Sequence, residues 1–173
     1  GFLRGSTRSA DGARRRPPGQ ADGVTLALDP DDPFPLADER LVDYAAAQEH
    51  AAEVDAWLGL RTEEVERSLP RDALAAAGQQ LWLDLPVRGL LTPYTELRAL
   101  MEHLKPAAGS LVVDLGAGYG RLGFVVARHC PGVSFLGYEF VAGRVEEGNR
   151  CLEAHGHAGS RLEQADLSSR TFR

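Results

Sequence analysis

The sequence predicts an α/β fold, a doubly wound parallel sheet preceded by an all-helical N-terminal segment. Short runs at about 110–115 and 133–139 are apolar and end in an acid. Strands buried inside a parallel sheet read this way. A third, more polar run follows at about 160–165. The stretches between the runs carry apolar residues at helical spacing, so strand and helix alternate.

Composition sets the frame for these elements. The chain has 173 residues, is 43% hydrophobic and carries a formal charge of −6. That is one domain with appendages, large enough for a real core. No apolar stretch approaches the ~18 to 20 residues of a membrane span, and no apolar signal core is visible. Cys130 and Cys151 have no metal-ligand spacing, and the five histidines form no ligand pattern. Both cysteines are expected to be reduced, buried thiols in a cytoplasmic protein, with no metal site.

Residues 1–35 place arginines among Gly, Ser, Pro and Asp with almost no apolar periodicity. Such a segment does not offset its ordering entropy by burial, so a disordered basic tail and linker is expected. Residues 36–90 read as a helical extension. Leu41, Tyr44, Gln48, Ala51, Ala52, Asp55 and Leu58 form a broken stripe. Glu63–Leu69 reads as a short helix. Ser68 is placed to cap another, through Pro70 to about Leu83, with Leu74, Ala77 and Leu81 inward. Trp57 and Trp82 are expected to pack these helices together.

From residue 91 the pattern is sharper. Thr92 is placed as N-cap and Pro93 at the first position of a helix whose stripe is Leu97, Leu100, Met101 and Leu104. Leu111-Val112-Val113 then reads as the first strand, ending in Asp114. Glycines follow at 116, 118 and 120. They let the backbone turn sharply and approach a ligand with no Cβ between. The helix after them, Arg121–His129, turns its free N–H groups toward the same place. Its apolar face is Leu122, Val125, Val126 and His129. The second strand ends in Glu139, and the next helix, Val141–His155, buries Val145, Cys151 and Leu152. Gly143 and Gly148 each weaken that helix by about 1 kcal/mol relative to alanine.

The string D-x-G-x-G-x-G after a strand resembles motif I of the class I S-adenosylmethionine (SAM) methyltransferases, which have a Rossmann-like sheet of seven strands. Gly118–Gly123 also satisfies G-x-G-x-x-G, the dinucleotide fingerprint. There the first glycine opens the turn, whereas Gly116 opens it here. An acid at the strand end suits the ammonium group of SAM and would repel a pyrophosphate. A nicotinamide-binding domain and a ligand-free turn remain the alternatives.

The resemblance implies a set of cofactor contacts. Asp114, Gly116, Ala117, Gly118 and Gly120 form the cradle. Glu139, with Phe140 beside it, resembles the motif II acid that holds the ribose hydroxyls. Asp166 stands where a family acid meets the adenine amino group, flanked by Ala165 and Leu167. The Thr92-Pro93-Tyr94 context is similar to protein-lysine methyltransferases of this fold, which makes Thr92 and Tyr94 lid residues at the methionine end. A departure is Val141, where the family carries a polar helix-starting residue.

The implied function is SAM-dependent methyl transfer. The acceptor is a protein lysine, with a small molecule or RNA as alternatives. A SAM-binding module without turnover is the second reading. Three of the seven strands are legible, so residues 91–173 read as a half-domain truncated at the C-terminus. The fragment alone is expected to be inactive and to self-associate through the exposed edge of its first strand. No catalytic residue is assigned.

Overall fold

In a computed structural model, residues 26–37, 42–76 and 87–169 are described. The elements run α1 (Tyr44–Leu58), α2 (Thr62–Ser68), α3 (Arg71–Ala76), α4 (Val87–Leu90) and α5 (Tyr94–Leu104), then β1 (Leu111–Leu115), α6 (Arg121–His129), β2 (Ser134–Glu139), α7 (Ala142–Ala154) and β3 (Ser160–Gln164). The strands form one parallel sheet in the order β1-β2-β3. Val112 pairs with Phe135 and Asp114 with Gly137, while Gly137 pairs with Leu162 and Glu139 with Gln164. This register carries Asp114 and Glu139 to the same C-terminal end of the sheet. In open α/β sheets that end is where ligands bind.

The core forms where α6 and α7 cover the sheet. Phe124, Val125, Val126, Phe135, Leu152 and Leu162 are all buried there. Leu122, Val125 and Val126 face inward as their spacing predicts, and so do Val145, Cys151 and Leu152 of α7. The opposite face of β1 is uncovered. Leu111, Val113 and Leu115 are 53%, 47% and 55% exposed. Alternation along the pleat puts all three on one face, and no helix of the described residues lies over it.

The helical extension is built much as its stripe suggests. Asp43 caps α1 by accepting from the Ala46 N–H at 2.8 Å, and Gly59 ends the helix in the left-handed region. Gln48, Ala51, Asp55 and Leu58 turn inward, together with Val54 and His50. Tyr44 is half exposed instead, its hydroxyl accepting from Gln48 Nε2 at 2.7 Å.

Several expectations give way. Residues 26–35 were expected to be part of a disordered linker, yet Phe34 is buried and stacks on Tyr94 with ring centroids 5.0 Å apart. Arg128 donates to the Asp31 carbonyl, which ties the same arm to α6. One aromatic anchor offsets the ordering entropy that composition alone could not. Ser68 does not cap α3; its hydroxyl donates to the Val65 carbonyl of its own helix. Trp57 is half exposed against His155 and is not a packing anchor. Pro93 takes the N-cap position of α5 and Tyr94 the first helical one, a shift of one residue from the expected start. Leu100 and Leu104 lie outside the buried half of that helix. The expectations for residues 1–25, Leu41, Ala77, Leu81 and Trp82 fall outside the described residues.

Candidate cofactor site

The glycine turn is clamped from below. The N–H groups of Gly116 and Ala117 both donate to the Tyr138 carbonyl of β2, at 2.8 and 2.9 Å. Gly118 has φ +55° and Gly120, which caps α6, has φ +77°, so glycine is required there. Two glycines outside the turn matter as much. A Cβ on Gly137 of β2 would meet the Ala117 Cβ at 2.6 Å, and one on Gly148 of α7 would meet the Tyr119 carbonyl at 2.6 Å. The turn therefore lies directly against a strand and a helix. This explains a glycine in mid-α7 that helix propensity disfavours.

Glu139 is buried and holds the turn from its open side. Its Oε2 accepts from the Gly118 N–H at 3.0 Å and its Oε1 from the Val141 N–H at 2.9 Å. This second bond satisfies the start of α7 without a polar residue at 141. Each carboxylate oxygen keeps a further lone pair for a hydroxyl donor. Asp114 stands nearby, and burial followed by the Glu139 charge raises its carboxyl above the usual range. Arg144 counters the Glu139 charge, with Nη1 3.8 Å from Glu139 Oε1.

These groups converge on a cleft of about 320 Å³, lined by Thr92, Asp114, Gly116, Ala117, Gly118 and Glu139 and also by Glu66, Leu91, Arg121 and Arg144. A Cβ on Gly116 would meet nothing within 4 Å, so the turn faces open space. The last four residues were not found from sequence. Three of them are a leucine and two charged side chains on helix faces, with no motif spacing. Arg121 directly follows the glycine turn, and that adjacency was the one available signal.

Arg121 fixes the rim. Its Nη2 donates to Asp55 Oδ2 at 2.5 Å, and its Nη1 donates to the Thr92 carbonyl at 3.1 Å. Gln48 donates to the Leu91 carbonyl at 3.0 Å. Helix α1 thus holds the loop that walls the cleft.

The structure places the other expected contacts elsewhere. Tyr94 is fully buried, donates to Asp55 Oδ1 at 2.8 Å and lies under the Arg121 guanidinium, so it is not a lid residue. Its apolar ring is better housed between Phe34 and α1 than at a solvent-facing rim. Asp166 is exposed and outside the cleft lining; its Oδ1 accepts from the Ser168 N–H and hydroxyl. Ala165 packs with Leu136 and Tyr138 on the far face of the sheet. The Phe140 carbonyl accepts from Gln164. Among the described residues no cluster of His, Cys, Asp or Glu is placed to hold a metal ion.

The family model described as methyltransferase small domain matches residues 95–172, which span α5 through β3 and include Asp114, the glycine turn and Glu139. The matched residues make up a little under half of the chain. No curated protein matches the chain. Among solved structures, the chain is similar to a SAM-dependent methyltransferase from Geobacter sulfurreducens in complex with S-adenosyl-L-homocysteine, at 25% identity and TM-score 0.41, covering 47% of this chain and 32% of that one. It is also similar to a SAM-dependent methyltransferase from Thiobacillus denitrificans in complex with the same ligand, at 28% identity and TM-score 0.39, covering 44% and 31%. The N-terminal domain of EvdMO1 with SAH bound shows 29% identity and TM-score 0.39, with 44% and 31% covered. The match therefore spans about a third of the length of these structures.

Proposed function

We propose that this chain is the cofactor-binding portion of a SAM-dependent methyltransferase. One observation carries the reading: Asp114, the glycine turn and Glu139 share a single cleft at the C-terminal end of the sheet. The cofactor supplies a methyl group activated on a sulfonium. Asp114 receives the ammonium end, and its carboxylate next to Glu139 makes the cleft attractive to a cation and hostile to a pyrophosphate. Glu139 receives the ribose hydroxyls on the lone pairs left by its two backbone donors. Leu91, Leu97 and Leu122 give the cleft an apolar wall. Positioning and desolvation are the protein's main contributions to such a transfer.

The acceptor proposed is a protein lysine, supported by the Thr92-Pro93 loop at the cleft rim. Residues 1–35 serve as a basic tail and linker, whose end docks through Phe34, with 36–90 as a helical extension and 91–173 as the cofactor half-domain, in a cytoplasmic protein. No helix among the described residues is long and apolar enough to cross a membrane. The uncovered face of β1 supports self-association. A SAM-binding module without turnover is the second reading, favoured by the absence of an assignable acceptor site among the described residues.

Calorimetric titration with SAM, S-adenosylhomocysteine and NAD tests the proposal. Binding of the first two and not the third is expected, and NAD binding without SAM binding would overturn it. Methyl transfer to lysine-containing protein, RNA and small molecules, assayed with the full-length parent, separates the acceptors and the module reading.

A further inference from the structure

We propose that Glu66, on α2 and outside the matched methyltransferase segment, is a positioning residue that holds the glycine turn and Glu139 in one closed ring of polar contacts. The inference rests on the reading of the cleft as a SAM site. The ring can be followed atom by atom. Glu66 Oε1 accepts from the Tyr119 hydroxyl at 2.9 Å and from Arg144 Nε at 2.7 Å. Tyr119 belongs to the turn itself, between Gly118 and Gly120. Arg144 reaches Glu139 at 3.8 Å, and Glu139 returns to the turn through the Gly118 N–H at 3.0 Å. Glu66, Tyr119 and Glu139 are all buried.

Burial gives the ring its weight. Polar contacts shielded from water strengthen one another, and removal of one member leaves the others unpaired. Burial and then the Glu66 charge push the Tyr119 hydroxyl far above its ordinary range, so it stays a donor at any physiological pH. Arg144 has the further task of offsetting the charge of Glu139. Its long side chain has many rotamers, and its bond to Glu66 selects the one that points at Glu139. Without Glu66 the arginine loses its anchor, and the Tyr119 hydroxyl keeps only the longer bond to the Thr62 carbonyl of α2, at 3.2 Å. Glu66 therefore acts on the cofactor through Glu139 and Gly118. This gives the helical extension a part in a site that the matched segment does not contain by itself.

The test uses Glu66→Ala and Glu66→Gln in the full chain. Amide hydrogen exchange in the ligand-free protein should show Gly118 and Val141 exchanging at least tenfold faster in Glu66→Ala. The amides of Phe135 and Leu152, in the core, should be unchanged. Glu66→Gln keeps an acceptor for Tyr119 and loses the charge facing Arg144, so a smaller change in the same direction is expected. Titration with S-adenosylhomocysteine should show about tenfold weaker binding for Glu66→Ala. The penalty should shrink with the 2′-deoxyribose analogue, because it passes through the grip of Glu139 on the ribose. Unchanged exchange at Gly118 and Val141 overturns the proposal, and so does an equal penalty for both ligands. If the parent chain binds no S-adenosylhomocysteine, the cofactor reading fails, and the exchange result still decides the part played by Glu66.

Discussion

Glu139 joins two tasks in one side chain. It closes the glycine turn from Gly118 and the start of α7 from Val141, and it faces the cleft. Glu139→Ala would leave two sheltered N–H groups without their acceptor, a loss of about 1–3 kcal/mol. We expect S-adenosylhomocysteine binding to weaken by that order, read by calorimetry. Binding equal to the parent would place the pocket elsewhere. Gly148 makes a second argument at this scale. Its missing side chain is space that the Tyr119 carbonyl and Leu162 occupy. Alanine raises helix propensity, yet here it overpacks a closed contact, at a cost of about 1–3 kcal/mol. Gly148→Ala should therefore lower the urea midpoint and weaken ligand binding together. A more stable variant would show that the contact yields.

Between elements, the joint of α7 to the α1–α2 turn depends on Glu147. This buried carboxylate accepts from the Arg61 N–H at 2.8 Å and pairs with the Arg61 and Arg150 guanidiniums, each at 2.7 Å. Burial pushes its carboxyl up, but Arg150 and Arg61 outweigh this and hold it at about 2, against an ordinary 4.5. A folded-state value below the unfolded one stabilises the fold above the unfolded value and ceases to do so as pH falls through the folded one. Both arginines are well exposed, so solvent screening reduces the gain to about 1–2 kcal/mol. Unfolding midpoints should be insensitive to this group above about pH 5 and fall from about 4.5 toward 2. Glu147→Gln should be less stable at neutral pH and show a shallower acid decline. An unaltered acid profile would remove Glu147 from the joint.

For the whole molecule, a single aromatic ring anchors the arm that precedes α1. Phe34 inserts against Tyr94 and the edge of His129, and the arm from residue 26 follows it. Phe34→Ala should cost about 3 kcal/mol, in the range for emptying a buried aromatic site. Denaturant unfolding reads this directly, and a loss below about 0.5 kcal/mol would return the arm to the status of a tail. Among the described residues, β1 has an edge without a partner strand and three exposed apolar residues, without the charge or proline that blunts a natural edge. Sedimentation at several concentrations is expected to show self-association. Val113→Lys should reduce it, since a charge on that face opposes pairing. A monomer at every concentration would show that the face is tolerated bare.

The sequence by itself determined the alternation of strand and helix from residue 94 onward, the parallel sheet and the placement of Asp114 and Glu139 at one end of it. These follow from local patterns: apolar strands, helical spacing and a glycine turn whose backbone only glycine adopts readily. Tertiary structure alone decided which distant groups complete the cleft. Glu66, Arg121 and Arg144 are ordinary charged residues in sequence, and become members of the site because α1 and α2 fold over the turn. It also moved Tyr94 from the rim to the core, where its hydroxyl finds Asp55 and its ring finds Phe34. Phe34 itself sits among prolines and aspartates, so composition described the segment as a whole while one side chain set its fate. Backbone conformation is written in neighbouring residues and can be read from them. Burial and charge pairing depend on partners tens of residues away, and those partners are chosen only when the chain closes.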